Sequence, residues 1–178
     1  MFRLMICWMM CCLTAMAFAA LEIKSWLVLG PYENEMGPEG RTGLDKDYLK
    51  SVGGESALSR PETSFGITSS ATVKPLQDGV VTFDSLFKPS DNKVAYAIAD
   101  LRVSKDQKVG VLFGSDDGAA VWVNGERVHR FAGNRGIVPG QDQFHIQLHQ
   151  GQNRILVKVE NGGGGWGFAL VLLDEKTA

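Results

Sequence analysis

The chain has no cysteine beyond its N-terminal segment. Cys7, Cys11 and Cys12 all precede residue 13, so disulfides cannot stabilise the rest of the sequence. A chain of 178 residues does not need them, because a domain of about 150 residues buries roughly 70% of the surface that its unfolded form exposes. We therefore expect one domain with one hydrophobic core.

A long hydrophobic run is also missing. The longest apolar stretch, Leu4–Leu13, has ten residues, whereas a membrane-spanning helix needs about 20. Arg3 precedes this stretch and alanines at 15, 17 and 19 follow it, which is the layout of a cleaved secretory signal. We expect a signal peptide at residues 1–19, a mature domain at 20–178, and a secreted, periplasmic or cell-envelope location.

Neither sign of charge predominates. The chain has 18 basic and 20 acidic residues, and loss of the signal peptide removes only Arg3, which leaves 17 and 20. No run of Lys and Arg suited to a phosphate backbone is present either. We therefore expect neither a nucleic-acid partner nor a membrane span.

Short β-type segments are what the sequence does contain. From Val80 onward, runs rich in Val, Ile, Phe and Leu alternate with Gly, Asn and Asp, a pattern typical of all-β proteins. It predicts an antiparallel β-sandwich, with a further strand from Leu21 that ends at the Gly30–Pro31 pair. The predicted later strands lie at 80–84, 94–103, 108–114, 119–123, 126–131, 144–149, 153–160 and 166–173.

The segment from about 32 to 72 has weak periodicity and many Gly, Pro, Ser, Glu and Asp residues. We expect long ordered loops there, with one helical turn near Lys46–Lys50. Loops of this length in a compact domain are often functional.

Alternating polarity assigns faces to two of the later strands. Side chains two residues apart share a face, so the apolar set points to the core and the polar set to water. The predicted core residues are Phe144, Ile146, Leu148, Ile155, Val157 and Val159, and the predicted solvent-facing residues are Arg154, Lys158 and Glu160.

Asn124–Gly125 is typical of a two-residue hairpin turn, which Val123 and Glu126 would flank while Val121 faces Val128. If the strands after Lys108 are successively antiparallel, their connections alternate between the two ends of the sandwich. The connections at 115–118, 132–140 and 161–165 then share one end. Because binding residues favour loops on a rigid scaffold, we predict ligand binding there by Asp116, Asp117, Asn134, Arg135, Asp142, Asn161 and Trp166.

The chemistry of these residues allows two interpretations. Asp116 and Asp117, with amide oxygens from Asn134 or Asn161, could ligate Ca²⁺, the candidate cofactor. The same pair followed by Gly118 is also typical of an ordinary Asx turn. Similarly, Trp122 and Trp166 could stack on sugar rings or could simply pack in the core.

Catalytic patterns are scarce. The mature sequence has no cysteine nucleophile and no G-x-S-x-G elbow. His145 and His149, four residues apart on a strand, lie about 13 Å apart, too far to share a zinc ion. We predict that the protein is not an enzyme, with a hydrolytic carboxylate pair as the alternative that the sequence leaves open.

The motifs WLVLGPY (26–32), GSDDGAAVWVNGERVHR (114–130) and NGGGGWGF (161–168) resemble those of bacterial secreted galactose-binding-like, jelly-roll domains. The S-D-D-G segment is also similar to protective-antigen-like sugar-binding domains. The resemblance covers nearly all of the mature chain and implies a non-catalytic carbohydrate-binding or accessory module. The fold itself carries several functions. The alternative is a structural or protein-interaction module of the cell envelope without a sugar ligand.

Overall fold

The computed structural model describes residues 20–37, 40–64 and 70–174. Their strands pair antiparallel throughout and form two large sheets and a small hairpin. The predicted all-β antiparallel sandwich is confirmed. The predicted signal peptide lies outside the described residues, and within them no helix has the length and hydrophobicity to cross a membrane.

The strands are numbered in chain order. They are β1 (Ala20–Leu21), β2 (Trp26–Glu33), β3 (Met36–Gly37), β4 (Gly40–Arg41), β5 (Ser70–Val73), β6 (Val80–Thr82), β7 (Lys93–Val103), β8 (Gln107–Asp116), β9 (Ala119–Val123), β10 (Glu126–Phe131), β11 (Asp142–Leu148), β12 (Gly151–Asn161) and β13 (Gly167–Asp174). A short helix, α1 (Glu55–Leu58), and 3₁₀ turns at Lys50–Val52 and Gln77–Gly79 lie between them. Sheet A has the order β1-β13-β8-β11 with β6 also on β13, sheet B has the order β10-β9-β12-β7-β2-β5, and β3 pairs with β4.

The main core lies between the two sheets. Ile146, Leu148, Ile155, Val157 and Val159 are buried there, and Phe144 packs against it half-buried, so the predicted inward faces of β11 and β12 are confirmed. Because each strand contributes alternate side chains to this layer, the opposite faces of both sheets remain for other contacts.

Strand β2 does not end at Gly30–Pro31 as predicted. It continues to Glu33, with a register shift against β7 between Leu29 and Tyr32. Strand β5 pairs with Trp26–Leu29, and from Gly30 onward β7 is the one neighbour of β2 among the described residues. Pro31 falls within this register shift, an irregularity at which the missing N–H of a proline is tolerated.

The segment 40–64, which we call the strap, covers the outer face of sheet B. It is an ordered loop region as predicted, although its helical turns lie at 50–52 and 55–58 rather than at 46–50. Leu49 and Leu58 of the strap join a second apolar cluster with Tyr96, Trp122 and Leu156 on that face. Trp122 therefore faces away from the main core but is still covered.

The predicted solvent-facing side of β12 is wrong, because the strap covers it. Arg154, Lys158 and Glu160 do not face water: they are 6%, 0% and 5% exposed. Arg154 donates to the carbonyl oxygens of Arg60 and Thr63 and forms a paired contact with Asp100. These buried charges are satisfied by the strap and by neighbouring strands, which is how such groups persist inside proteins.

Candidate functional site

The three predicted connections meet at one end of the sandwich. Asp117 links them directly: its Oδ1 accepts the backbone N–H of Arg135 at 3.0 Å, and its Oδ2 accepts that of Gly162 at 2.9 Å. The alternation argument for these loops is therefore confirmed. We call residues 115–118, 132–141 and 161–166, together with Arg41, the loop end.

Arg41 of β4 completes this end. Its Nη2 lies 3.4 Å from Asp117 Oδ2 and 3.7 Å from Glu160 Oε1, and it donates to Asn134 Oδ1 at 2.5 Å. Sequence reasoning missed Arg41 because it lies at the start of the weakly periodic strap, where no local pattern indicates its partner. The guanidinium joins that segment to the loops around Asp117.

The aspartate pair does not form a shared calcium site in the structure. Asp117 is 7% exposed, and each of its oxygens already accepts a backbone hydrogen bond. Within the described ranges, no group of three or more His, Cys, Asp or Glu residues could hold a metal ion. Asp117 therefore acts as a structural acceptor, closer to the turn interpretation than to a metal ligand.

Asp116 has a different environment. Its carboxylate lies against the exposed 163–165 loop, where a Cβ at Gly165 would be only 2.8 Å from Oδ2. Asp84, whose Oδ2 accepts the backbone N–H of Trp166 at 3.3 Å, is also close. Partial burial, followed by the charges of Asp117 and Asp84, raises the pKa of Asp116 to about 6. This carboxyl can therefore donate or accept a hydrogen bond near neutral pH.

The titration of Asp116 is directly measurable. We expect a pKa of about 6 by carboxyl-carbon NMR, and a lower value in Asp84→Asn because a repelling charge is removed. A raised carboxyl pKa means that the folded state binds the proton more tightly. Stability should therefore fall as pH rises from about 4 to 6, and Asp116→Asn should remove this part of the pH dependence. An Asp116 pKa near 4 would contradict this description.

Arg135 and Asp142 are tied to one another. Arg135 Nη1 and Nη2 donate to the two Asp142 oxygens at 3.0 and 2.5 Å, and the guanidinium stacks on Phe131 with Cζ 3.7 Å from the ring centroid. Hydrogen bonding from Arg135 lowers the pKa of Asp142, whose Oδ2 also lies 2.9 Å from His129 Nε2. Both residues therefore anchor the 132–141 loop to the sheets.

Two predicted ligand residues are buried. Asn161 is 0% exposed and bonds to the carbonyl of Ser90 and the N–H of Gly163. Trp166 is also 0% exposed, and its ring packs edge-on against Phe83 with centroids 5.3 Å apart. Of the two interpretations of Trp166, packing in the core is the one that the structure shows, so Trp166 does not act as the predicted ligand residue.

Asn134 is exposed at the loop end, beside exposed glycines 163–165, whereas Arg41 and Asp116 are half-buried there. An amide, a guanidinium and a carboxyl with a raised pKa provide both donors and acceptors. The backbones that carry them are fixed by the buried Asp117 contacts. The arrangement is suited to hydrogen bonding with a polar, uncharged ligand.

No protein-family model matches the chain, and no curated protein matches its sequence. Solved structures with a similar fold include the exo-chitosanase CsxA of Amycolatopsis orientalis, with a TM-score of 0.55 and 16% identity over 87% of this chain and 20% of that chain. Another is the Ruminococcus gnavus beta-glucuronidase, with a TM-score of 0.50 and 10% identity over 90% of this chain and 29% of that chain. The PA14 domain of the MpAFP antifreeze protein matches with a TM-score of 0.48 and 11% identity over 86% of this chain and 83% of that chain. The chain spans less than a third of the two enzymes, and the similarity to those two structures supports the fold.

Proposed function

We propose that this protein is a secreted, non-catalytic carbohydrate-binding module that binds its glycan at the loop end. The observation that carries the proposal is the exposed Asn134 beside the half-buried Arg41 and Asp116, at the loops that Asp117 joins. Sugar hydroxyls both donate and accept hydrogen bonds, as these groups do. Fixing the loops before binding reduces the ordering cost of association.

Charge favours an uncharged glycan over an acidic one. The Arg41 guanidinium is already engaged by Asp117 and Glu160, whereas Asp116 and Asp84 add negative charge to the same rim. A sulfated or uronic-acid chain would face these carboxylates, and like charges across an interface oppose association.

Two further observations support the proposal. The fold is shared with parts of an exo-chitosanase and a beta-glucuronidase, and the N-terminal sequence has the layout of a secretory signal.

A glycan array with and without chelator tests this proposal. We expect binding to neutral glycans in both conditions, and loss of the signal in an Asn134→Ala, Asp116→Asn double variant that keeps its thermal midpoint. Absence of binding in both conditions would contradict it. Release of reducing ends from a bound glycan, abolished by Asp116→Asn, would instead establish hydrolysis by the Asp116 and Asp84 carboxyls.

One observation favours a protein partner as the second candidate function. Met36 is 69% exposed in the β3–β4 hairpin, and Val138 is 56% exposed in the 132–141 loop. Exposed apolar side chains on binding loops suit contacts with another envelope protein. Stoichiometric recovery of one partner from envelope extract, lost in Met36→Ser with Val138→Ser, would favour this role.

A further inference from the structure

The outer face of sheet A carries a groove that the loop end does not use. It has a volume of about 260 Å³ and is lined by strands β8, β11 and β13. In the ladder, His145 is opposite Gly110, which is opposite Leu173, and Gln143 is opposite Leu112. These outward residues therefore stand side by side across three strands.

The floor of the groove is apolar and its far side is polar. Leu112 and Leu173 are half-buried on the two inner strands, while Gln143 and His145 are exposed on the edge strand β11. Gly110 lies between His145 and Leu173, and because it has no side chain it leaves the groove open at this position. A Cβ built there would lie 3.6 Å from Leu173 Cβ, so a larger side chain at position 110 would occupy the groove.

One end of the groove is closed by the 132–141 loop. A Cβ at Gly114 would lie 2.2 Å from the Val138 carbonyl oxygen, and a Cβ at Gly140 would lie 3.9 Å from Leu112 Cδ2. The loop thus crosses the outer face of sheet A. The same loop carries Asn134, so it separates the groove from the proposed glycan-binding end.

We propose that this groove is a second carbohydrate site, which takes one uncharged pyranose ring; the inference rests on the proposed glycan-binding function. The volume is below the roughly 300 to 1,000 Å³ of pockets for drug-sized ligands, which suits a single ring. The C–H face of a sugar matches the leucine floor, and its hydroxyls match the exposed amide of Gln143 on β11. Among the described residues that line the groove there is no Asp, Glu, Lys or Arg, which favours an uncharged ligand.

Amide chemical shifts of the ¹⁵N-labelled protein, titrated with the methyl glycosides of glucose, galactose, mannose, xylose and N-acetylglucosamine, test this proposal. We expect at least one probe to shift the amides of Gly110, Leu112 and His145 in a saturable way. Gly110→Leu should weaken this binding by at least about tenfold, which is about 1.4 kcal/mol. Gln147→Leu, which adds an apolar side chain to the same face outside the groove, should leave it unchanged.

The outcomes separate the two sites. Shifts confined to loop-end amides, groove shifts that persist in Gly110→Leu, or no shift at all would overturn the groove proposal. Groove shifts that follow protein concentration without sugar would also overturn it, because they would identify contact with a second copy. Glycan binding on the array, lost in the loop-end double variant, would still support the proposed function in each case.

Discussion

Replacing Lys158 by methionine is expected to lower the free energy of unfolding by about 3 to 5 kcal/mol, the usual effect of breaking a buried ion pair. Lys158 is fully buried, and its Nζ donates to Glu55 Oε1 at 2.7 Å and to the carbonyls of Leu44 and Lys46 at 3.1 and 2.7 Å. Methionine keeps the side-chain volume but leaves these three acceptors without their donor. Urea denaturation measures the change.

Two further variants test whether the lost ion pair causes the destabilisation of Lys158→Met. Lys46→Met removes a lysine whose partner, Glu35, lies on the surface with it, so its effect should stay within about 1 kcal/mol. Adding Glu55→Gln to Lys158→Met removes the unpaired charge and should restore part of the loss, while Tyr96 keeps an acceptor for its hydroxyl. A loss below about 1 kcal/mol in Lys158→Met would contradict the role of Lys158 in holding the strap.

Asp117→Asn should destabilise the protein by about 1 to 3 kcal/mol, since one backbone N–H is left without an acceptor. An asparagine has one acceptor oxygen in place of two, so either Arg135 or Gly162 loses the acceptor for its N–H. The replacement also removes the charge beside Arg41. We expect shifted amide resonances in both loops and a lower midpoint in urea.

Asp116→Asn is the matched control for this variant, because it makes the same chemical change one residue away. The raised pKa of Asp116 indicates that its charged form is disfavoured in the folded state, so at pH 7 this replacement should be neutral or slightly stabilising. Equal losses in the two variants would show that Asp117 is not the acceptor that joins the loops.

The strands, their inward faces and the meeting of the loops follow from local patterns. The Asn124–Gly125 turn pairs Val123 with Glu126 as predicted, but a register shift between Arg127 and His129 places His129, rather than Val128, opposite Val121. Such a bulge adds one residue to a strand, and nothing in the alternation of residues 126–131 marks its position.

The strap could not be placed because its contacts are distant in sequence and use buried charge. Alternation along β12 assigned Lys158 to water, and only the surrounding structure shows that the strap covers it. One signal was available: the apolar run from Val94 to Ala99 is typical of a strand that is buried on both faces. It indicates a cover on sheet B, although it does not identify residues 40–64 as that cover.

Titration of the strongest neutral glycan from the array into the wild type and into Asn134→Ala, Asp116→Asn tests the central claim most directly. The loop-end account predicts saturable binding to the wild type and at least about tenfold weaker binding to the variant, with the thermal midpoint unchanged. Equal affinities for the two proteins, with wild-type binding intact, would contradict binding at the loop end.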